Sequence, residues 1–210
     1  MENIVRSIID GDQVKAQENA REALNINIDP LEVVESGFSR GMAIVGESFE
    51  RGESYLPELL MAAATFNAAM EILEPEIEAQ NKEIAKAGTV LLGTVKGDVH
   101  DLGKNIVAMV LETNGFSVVD IGVDVPSLNF IEEAKNVKAD VIALSSLMTT
   151  TMPAQREIIE ILKEKNLRDE YFVIVGGGPV SEEWAERIGA DGFGKTAVDA
   201  VELIKRLLKR

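Results

Sequence analysis

The stretch TVLLGTVKGDVHDLGKN, Thr89–Asn105, passes from an apolar run into a polar loop bounded by Gly97 and Gly103, and then into helix-forming residues. The loop carries His100, the only histidine among 210 residues, with Asp98 two positions before it and Asp101 directly after. An apolar strand, a glycine-containing turn and a helix start together make one βα unit. Four further apolar runs follow at similar intervals: Phe116–Gly122, Asp140–Ser146, Tyr171–Gly177 and the short Asp191–Gly194. Helix-like segments lie between them, near residues 102–114, 127–138, 153–166, 181–188 and 196–208. Nearly continuous apolar strands alternating with helices imply a parallel sheet covered on both faces. Five such units predict a flavodoxin-like, Rossmann-like sheet of order 2-1-3-4-5, with its ligand crevice outside the carboxyl ends of strands one and three.

Three polar loops should meet at that crevice. The first holds His100. The second, SSLMTTTM (Ser145–Met152), leaves strand three, and the third, VGGGP (Val175–Pro179), leaves strand four. Three successive glycines, Gly176, Gly177 and Gly178, are expected to expose bare backbone against which a long or flat ligand can lie.

Upstream of Gly88 the period changes. Ile4, Val5, Ile8 and Ile9, then Leu31, Val33, Val34 and Phe38, then Leu59–Met61, Phe66, Met70 and Leu73 recur at helical spacing. Turn signals at Asp10–Asp12, Ile28–Pro30 and Glu50–Pro57 separate four or five helices, and Pro75 should kink or end the last of them. The domains expected are residues 1–87, a helical bundle, and 88–210, the α/β domain. The charged stretch Glu78–Gly88 reads as a helix end and linker.

Composition narrows the chemistry. With no cysteine there is no thiolate nucleophile and no Cys-type metal site. The net charge of −15 repels phosphate backbones and acidic lipid, so neither nucleic acid nor membrane is an expected partner. No segment reads as the ~20 apolar residues of a membrane span, and a cytoplasmic location is expected. A phosphate loop is a poor match, because Gly97 to Gly103-Lys104 is one residue too long and Asn105 replaces the Ser/Thr that would bind magnesium. A zinc or iron site would need a second imidazole or a thiolate beside His100, Asp98 and Asp101. A receiver-like phosphoacceptor would need a carboxylate cluster with a lysine such as Lys195 after the last strand, but a histidine occupies the centre of this one.

Asp98-x-His100-x-x-Gly103, then Ser145-x-Leu147, then Gly176-Gly177, each at a strand end, resemble the cobalamin-binding module of methionine synthase and of the corrinoid proteins that serve methylamine, methanol and methoxylated-aromatic methyltransferases. GMAIVGESFERGESYLPELLMAAATFNAAMEILEP, Gly41–Pro75, is similar to the helical cap preceding that module, so the resemblance covers nearly the whole chain.

The resemblance implies a cobalamin or related corrinoid, held in its methylcobalamin state with the nucleotide base off the cobalt and His100 on it as lower axial ligand. Asp98 would pair with the ring, and Thr151, with Thr149 nearby, would complete a His–Asp–hydroxyl relay. The cofactor-binding set implied is Gly97, Asp98, Val99, His100, Asp101, Leu102, Gly103, Ser145, Leu147, Thr149, Gly176, Gly177 and Gly178, with Phe49, Leu56 and Leu59 shielding the upper face from the cap. The linker near Glu78–Gly88 would be the hinge that lets the cap move.

No substrate domain is recognised, so the expectation is a free-standing methyl shuttle without a side-chain nucleophile. One substrate-specific methyltransferase would load a methyl group from a methylated or quaternary amine, methanol or a methoxylated aromatic. An acceptor methyltransferase would pass it to tetrahydrofolate or coenzyme M, and a reductive activator would keep the cobalt competent. The alternatives are a cobalamin-binding sensor and the small subunit of a cobalamin-dependent mutase.

Overall fold

The computed structural model describes residues 1–80 and 87–209, and the chain separates into two compact units, residues 1–85 and 86–210. Residues 81–86, on which most of the expected linker and hinge fall, lie outside the described residues.

In the first unit, α1 (Glu2–Ile9), α2 (Gln13–Asn25), α3 (Pro30–Val33), α4 (Arg40–Glu50) and α5 (Leu56–Ala79) form the expected helical region. A single π-helical stretch, Val34–Ser39, joins α3 to α4. Capping follows from local chemistry: the Asp12 side chain accepts from Lys15 N–H, and the Asp29 side chain accepts from Leu31 N–H with Pro30 at the first helical position. Pro75 does not end α5, which runs on to Ala79. Leu73 and Ile77, both buried on either side of the proline, anchor the helix across the missing backbone hydrogen bond. The segment Leu56–Ile77 also has the length and a mean hydropathy of 1.2 that a bilayer crossing needs, which corrects the expectation that no run approaches this. Leu59, Ala62, Ala63, Ala69, Met70 and Leu73 form its buried face, and α5 packs on α1, α2 and α4, while Leu60 and Met61 are exposed.

The second unit is a five-stranded parallel sheet ordered β2-β1-β3-β4-β5, as the sequence predicts. Its strands are β1 (Thr89–Thr94), β2 (Ser117–Asp120), β3 (Val141–Ser145), β4 (Phe172–Gly176) and β5 (Gly192–Gly194). The helices are α6 (Leu102–Thr113), α7 (Ser127–Asn136), α8 (Met152–Glu164), α9 (Glu182–Ile188) and α10 (Ala197–Leu208). α6 packs on α10, while α7 packs on α8 and α8 on α9, so the sheet is doubly wound. One layer of the core joins Leu91, Ile142, Leu144 and Val173 of the sheet to Phe130, Ile158, Ile159 and Leu162 of the helices. Each of these side chains contributes ~1.5–3 kcal/mol by leaving water.

Register aligns the strand ends. Thr94 pairs with Ser145, Ser145 with Gly176, and Gly176 with Gly194, which puts four carboxyl ends in one row. Gln155, fully buried in α8, reinforces that row: its Nε2 donates to the Leu144 carbonyl at 3.0 Å and the Gly176 carbonyl at 3.2 Å, and its Oε1 accepts from Trp184 Nε1 at 2.9 Å.

Within the glycine run after β4 the residues are not equally constrained by the fold. Gly177 has φ +123°, and a Cβ there would fall 1.8 Å from the Ser146 carbonyl oxygen, so the protein's own backbone demands this glycine. At Gly178 a Cβ would meet only the movable end of Leu147, at 3.1 Å. Gly177→Ala should therefore cost on the order of 3 kcal/mol of stability while Gly178→Ala costs less than about 1 kcal/mol. Thermal unfolding of the two variants would check this, and equal midpoints would contradict it.

Candidate functional site

The loop after β1 turns at Gly97, where φ is +82°, and returns through Asp98, Val99 and His100 to the start of α6. Asp98 is completely buried. Its Oδ1 accepts from His100 Nδ1 at 2.8 Å and from His100 N–H at 3.1 Å. Its Oδ2 accepts from Leu147 N–H at 2.7 Å and from the Thr151 hydroxyl at 2.8 Å. The two loops expected to meet across the crevice are thus joined through one carboxylate.

Burial pushes the Asp98 carboxyl up, but the His100 ring, the His100 and Leu147 backbone N–H groups and the Thr151 hydroxyl outweigh it. The result is a pKa brought down from 3.8 to about 2. An ionised carboxylate can only accept, so the proton of the hydrogen bond sits on His100 Nδ1. In the neutral ring the lone pair is then on Nε2, which no described residue engages, while the His100 side chain is 48% exposed.

Thr151, 7% exposed, has one proton to give, and the charged acceptor Asp98 takes it. Ser146, fully buried and not anticipated from the sequence, lies with its Oγ 2.8 Å from Thr151 Oγ1 and is placed to donate to it. The network therefore reads Ser146, Thr151, Asp98, His100. Thr149 is exposed and makes none of these bonds. Thr94, also fully buried and unanticipated, closes the loop from below by donating to the His100 carbonyl at 3.0 Å.

Beside this network lies a cavity of about 940 Å³ within the second unit. Val99, His100, Asp101, Leu102, Gly103, Ser145, Leu147, Gly176, Gly177 and Gly178 line it; Gly97, Asp98 and Thr151 do not. Sequence reasoning missed its far end, where Phe193, Lys195, Thr196, Ala197 and Ala200 follow β5 and Ile106 and Val107 come from α6. The strand-end rule that selected the loops after β1, β3 and β4 applies equally to β5, but that strand is only three residues long. Lys104, which invites comparison with a phosphate-binding lysine, is buried and bonded to Asp120 and Asn105. Phe49, Leu56 and Leu59 belong to the first unit: Phe49 and Leu56 are half-buried, and Leu59 is buried.

Among the described residues no group of three or more His, Cys, Asp or Glu could hold a metal ion. A metal bound here by His100 would have to bring its other ligands with it, as the metal of a macrocycle does. The site fits such a group. Val99 and Leu102 stand 67% and 73% exposed around the imidazole, and a Cβ built on Gly103 meets nothing within 4 Å, leaving clear space at the cavity wall. The volume is that of a site for a sizeable organic ligand.

Fold and site together define a doubly wound α/β domain that presents one oriented imidazole beside a long apolar groove. Comparison with known proteins gives the family. A B12 binding domain model matches residues 88–202, and a second B12 binding domain model matches residues 1–74. The chain is 48% identical over 202 residues to trimethylamine corrinoid protein 1 of Methanosarcina acetivorans, covering 96% of this chain and 94% of that protein. It is 44% identical over 209 residues to a corrinoid protein of Desulfitobacterium hafniense, covering 99% and 97%. The methanol:cobalamin methyltransferase complex MtaBC from Methanosarcina barkeri contains a chain that superposes with a TM-score of 0.90 at 28% identity, over 99% of this chain and 78% of that one. The chain belongs to the B12-binding corrinoid proteins of methyltransferase systems, and its cofactor is a corrinoid.

The buried carboxylate has a consequence for acid stability. Because its folded pKa is below its ordinary value, Asp98 contributes roughly 2 kcal/mol at neutral pH, present above about pH 4 and lost as pH falls towards 2. Asp98→Asn should lower the urea midpoint at pH 7, and the gap from wild type should close between pH 4 and 2. A gap that stays constant with pH would contradict this.

Proposed function

We propose that the protein is a methyl shuttle in which His100 Nε2 would ligate the cobalt of a corrinoid in place of the cofactor's own base. The observation that carries this reading is the imidazole at the cavity wall, its Nδ1 bonded to an ionised, buried carboxylate and its Nε2 without a partner among the described residues. When bound, the corrinoid would supply the methyl-transfer chemistry between donor and acceptor.

The chain's own residues supply orientation and proton control. Asp98 Oδ1 draws on the Nδ1 proton, which fixes the tautomer and makes Nε2 a better electron donor. Thr151 and Ser146 extend the network behind Oδ2 as two buried hydroxyls through which a proton can reach or leave the carboxylate. The groove from Gly103 past Ser145, Leu147 and Gly176 towards Phe193 is assigned to the displaced nucleotide tail, its apolar walls suiting an aromatic base. In the first unit, Phe49 and Leu56 are the better candidates for shielding the cofactor, since their side chains are partly accessible, whereas Leu59 is only 2% exposed.

We assign methylated amines as the donor class, supported by the naming of the relatives as trimethylamine and dimethylamine corrinoid proteins. A methyltransferase partner is supported by the complex in which the structural relative was solved. A second methyltransferase acting towards tetrahydrofolate or coenzyme M, a reductive activator and a cytoplasmic location complete the reading.

Reconstitution of wild type and His100→Ala with methylcobalamin, followed by visible absorption, tests it. Wild type should give the spectrum of a base-off corrinoid carrying an imidazole, and His100→Ala should give the base-off spectrum without one. Identical spectra, or no retention of the corrinoid by wild type, would sink the proposal.

A further inference from the structure

The His100 loop is held by a second loop that the mechanism above does not use. After β2 the chain runs through Ile121–Pro126 alongside Val95–Asp101, and Thr94 N–H donates to the Gly122 carbonyl at 2.9 Å while Val125 N–H donates to the Thr94 carbonyl at 3.0 Å. A bridge between Val95 and Val125 continues the sheet pattern beyond the named strands. The base of this second loop is fixed too: Asp120 Oδ1 accepts from Gly122 N–H at 2.8 Å, and Lys104 holds the other Asp120 oxygen.

Asp124 sits on this framework in the left-handed region, with φ +52°. Its Oδ1 accepts from Gly97 N–H at 2.7 Å, and its own N–H donates to the Asp98 carbonyl at 2.8 Å. Side chain and backbone of one residue therefore clasp the Gly97–Asp98 segment from outside. Apart from these two bonds, among the described residues the backbone of that segment is tied through Asp98 N–H to the Val95 carbonyl, at 3.1 Å.

We infer that Asp124 is a positioning residue for the corrinoid ligand: it fixes the backbone that aims the Asp98 carboxylate, and through that carboxylate the plane and tautomer of His100. The inference rests on the ligation role of His100 proposed above. The residue type fits the task, because aspartate and asparagine are the side chains that both tolerate this conformation and offer an acceptor at this reach. The negative charge shortens and strengthens the bond to Gly97.

The chemistry separates three substitutions. All three retain the backbone N–H that donates to the Asp98 carbonyl; Asp124→Asn also keeps the side-chain acceptor and the backbone preference, Asp124→Gly loses the acceptor but keeps the backbone freedom, and Asp124→Ala loses both. Because the chain has a single histidine, its imidazole gives one uncrowded set of nitrogen-15 and proton resonances in the full-length, cofactor-free protein. At mildly alkaline pH the wild type and Asp124→Asn should show the Nδ1–H tautomer with a slowly exchanging ring proton. Asp124→Gly and Asp124→Ala should show a mixture of tautomers with fast exchange. In a parallel titration with methylcobalamin, the ratio of imidazole-bound to imidazole-free corrinoid should fall about fivefold in Asp124→Gly and stay within about twofold in Asp124→Asn.

If Asp124→Gly lowers the thermal midpoint yet leaves both the tautomer and the corrinoid spectrum as in wild type, Asp124 merely stabilises a loop and the inference is overturned. A wild type that shows no imidazole-bound spectrum sinks the ligation reading instead, and the resonance measurement still decides whether Asp124 orients the ring.

Discussion

A carboxylate with no solvent exposure, ionised at neutral pH, organises the α/β unit's site. Taking a charge out of water is tolerable only when several well-aligned donors replace the lost hydration. Asp98 has four, drawn from two loops that leave different strands. The aligned strand ends, the buried Gln155 and the Gly177–Ser146 contact all serve the same geometry, because a shift of β3 against β1 or β4 would pull Leu147 and Thr151 away from Oδ2. The imidazole is the visible part of this arrangement, and its usefulness depends on the burial beneath it.

Much of this was legible in the sequence, and the divisions show why. The strand runs, their order and the polar loops at their carboxyl ends follow from periodicity and from the crossover rules of parallel sheets. The pairing of Asp98 with His100 and Thr151 came through resemblance, on a motif whose spacing survives in this chain. Ser146 was missed because Ser145 and Ser146 look alike in sequence, and only strand alternation in the folded sheet decides that Ser145 lines the cavity while Ser146 meets Thr151. Asp124 and Gln155 escaped for a similar reason, since each acts across loops or strands far from it in sequence.

The glycines show one role read from composition where the structure adds a second. Three in a row suggested bare backbone offered to a ligand. All three line the cavity, and Gly177 in addition avoids a collision with Ser146, which makes it as much a part of the fold as any core leucine. Pro75 is a parallel case: a helix breaker by intrinsic preference, it is carried through α5 by the packing of its neighbours. In both places tertiary contacts decide what local preference leaves open.

The network under His100 is made of protein atoms, each bond from Ser146 through Thr151 and Asp98 to the ring joining one side chain to the next. A side chain held by several bonded neighbours has few orientations left to lose when it meets a ligand. The aim of the ring is thereby settled when the α/β unit folds.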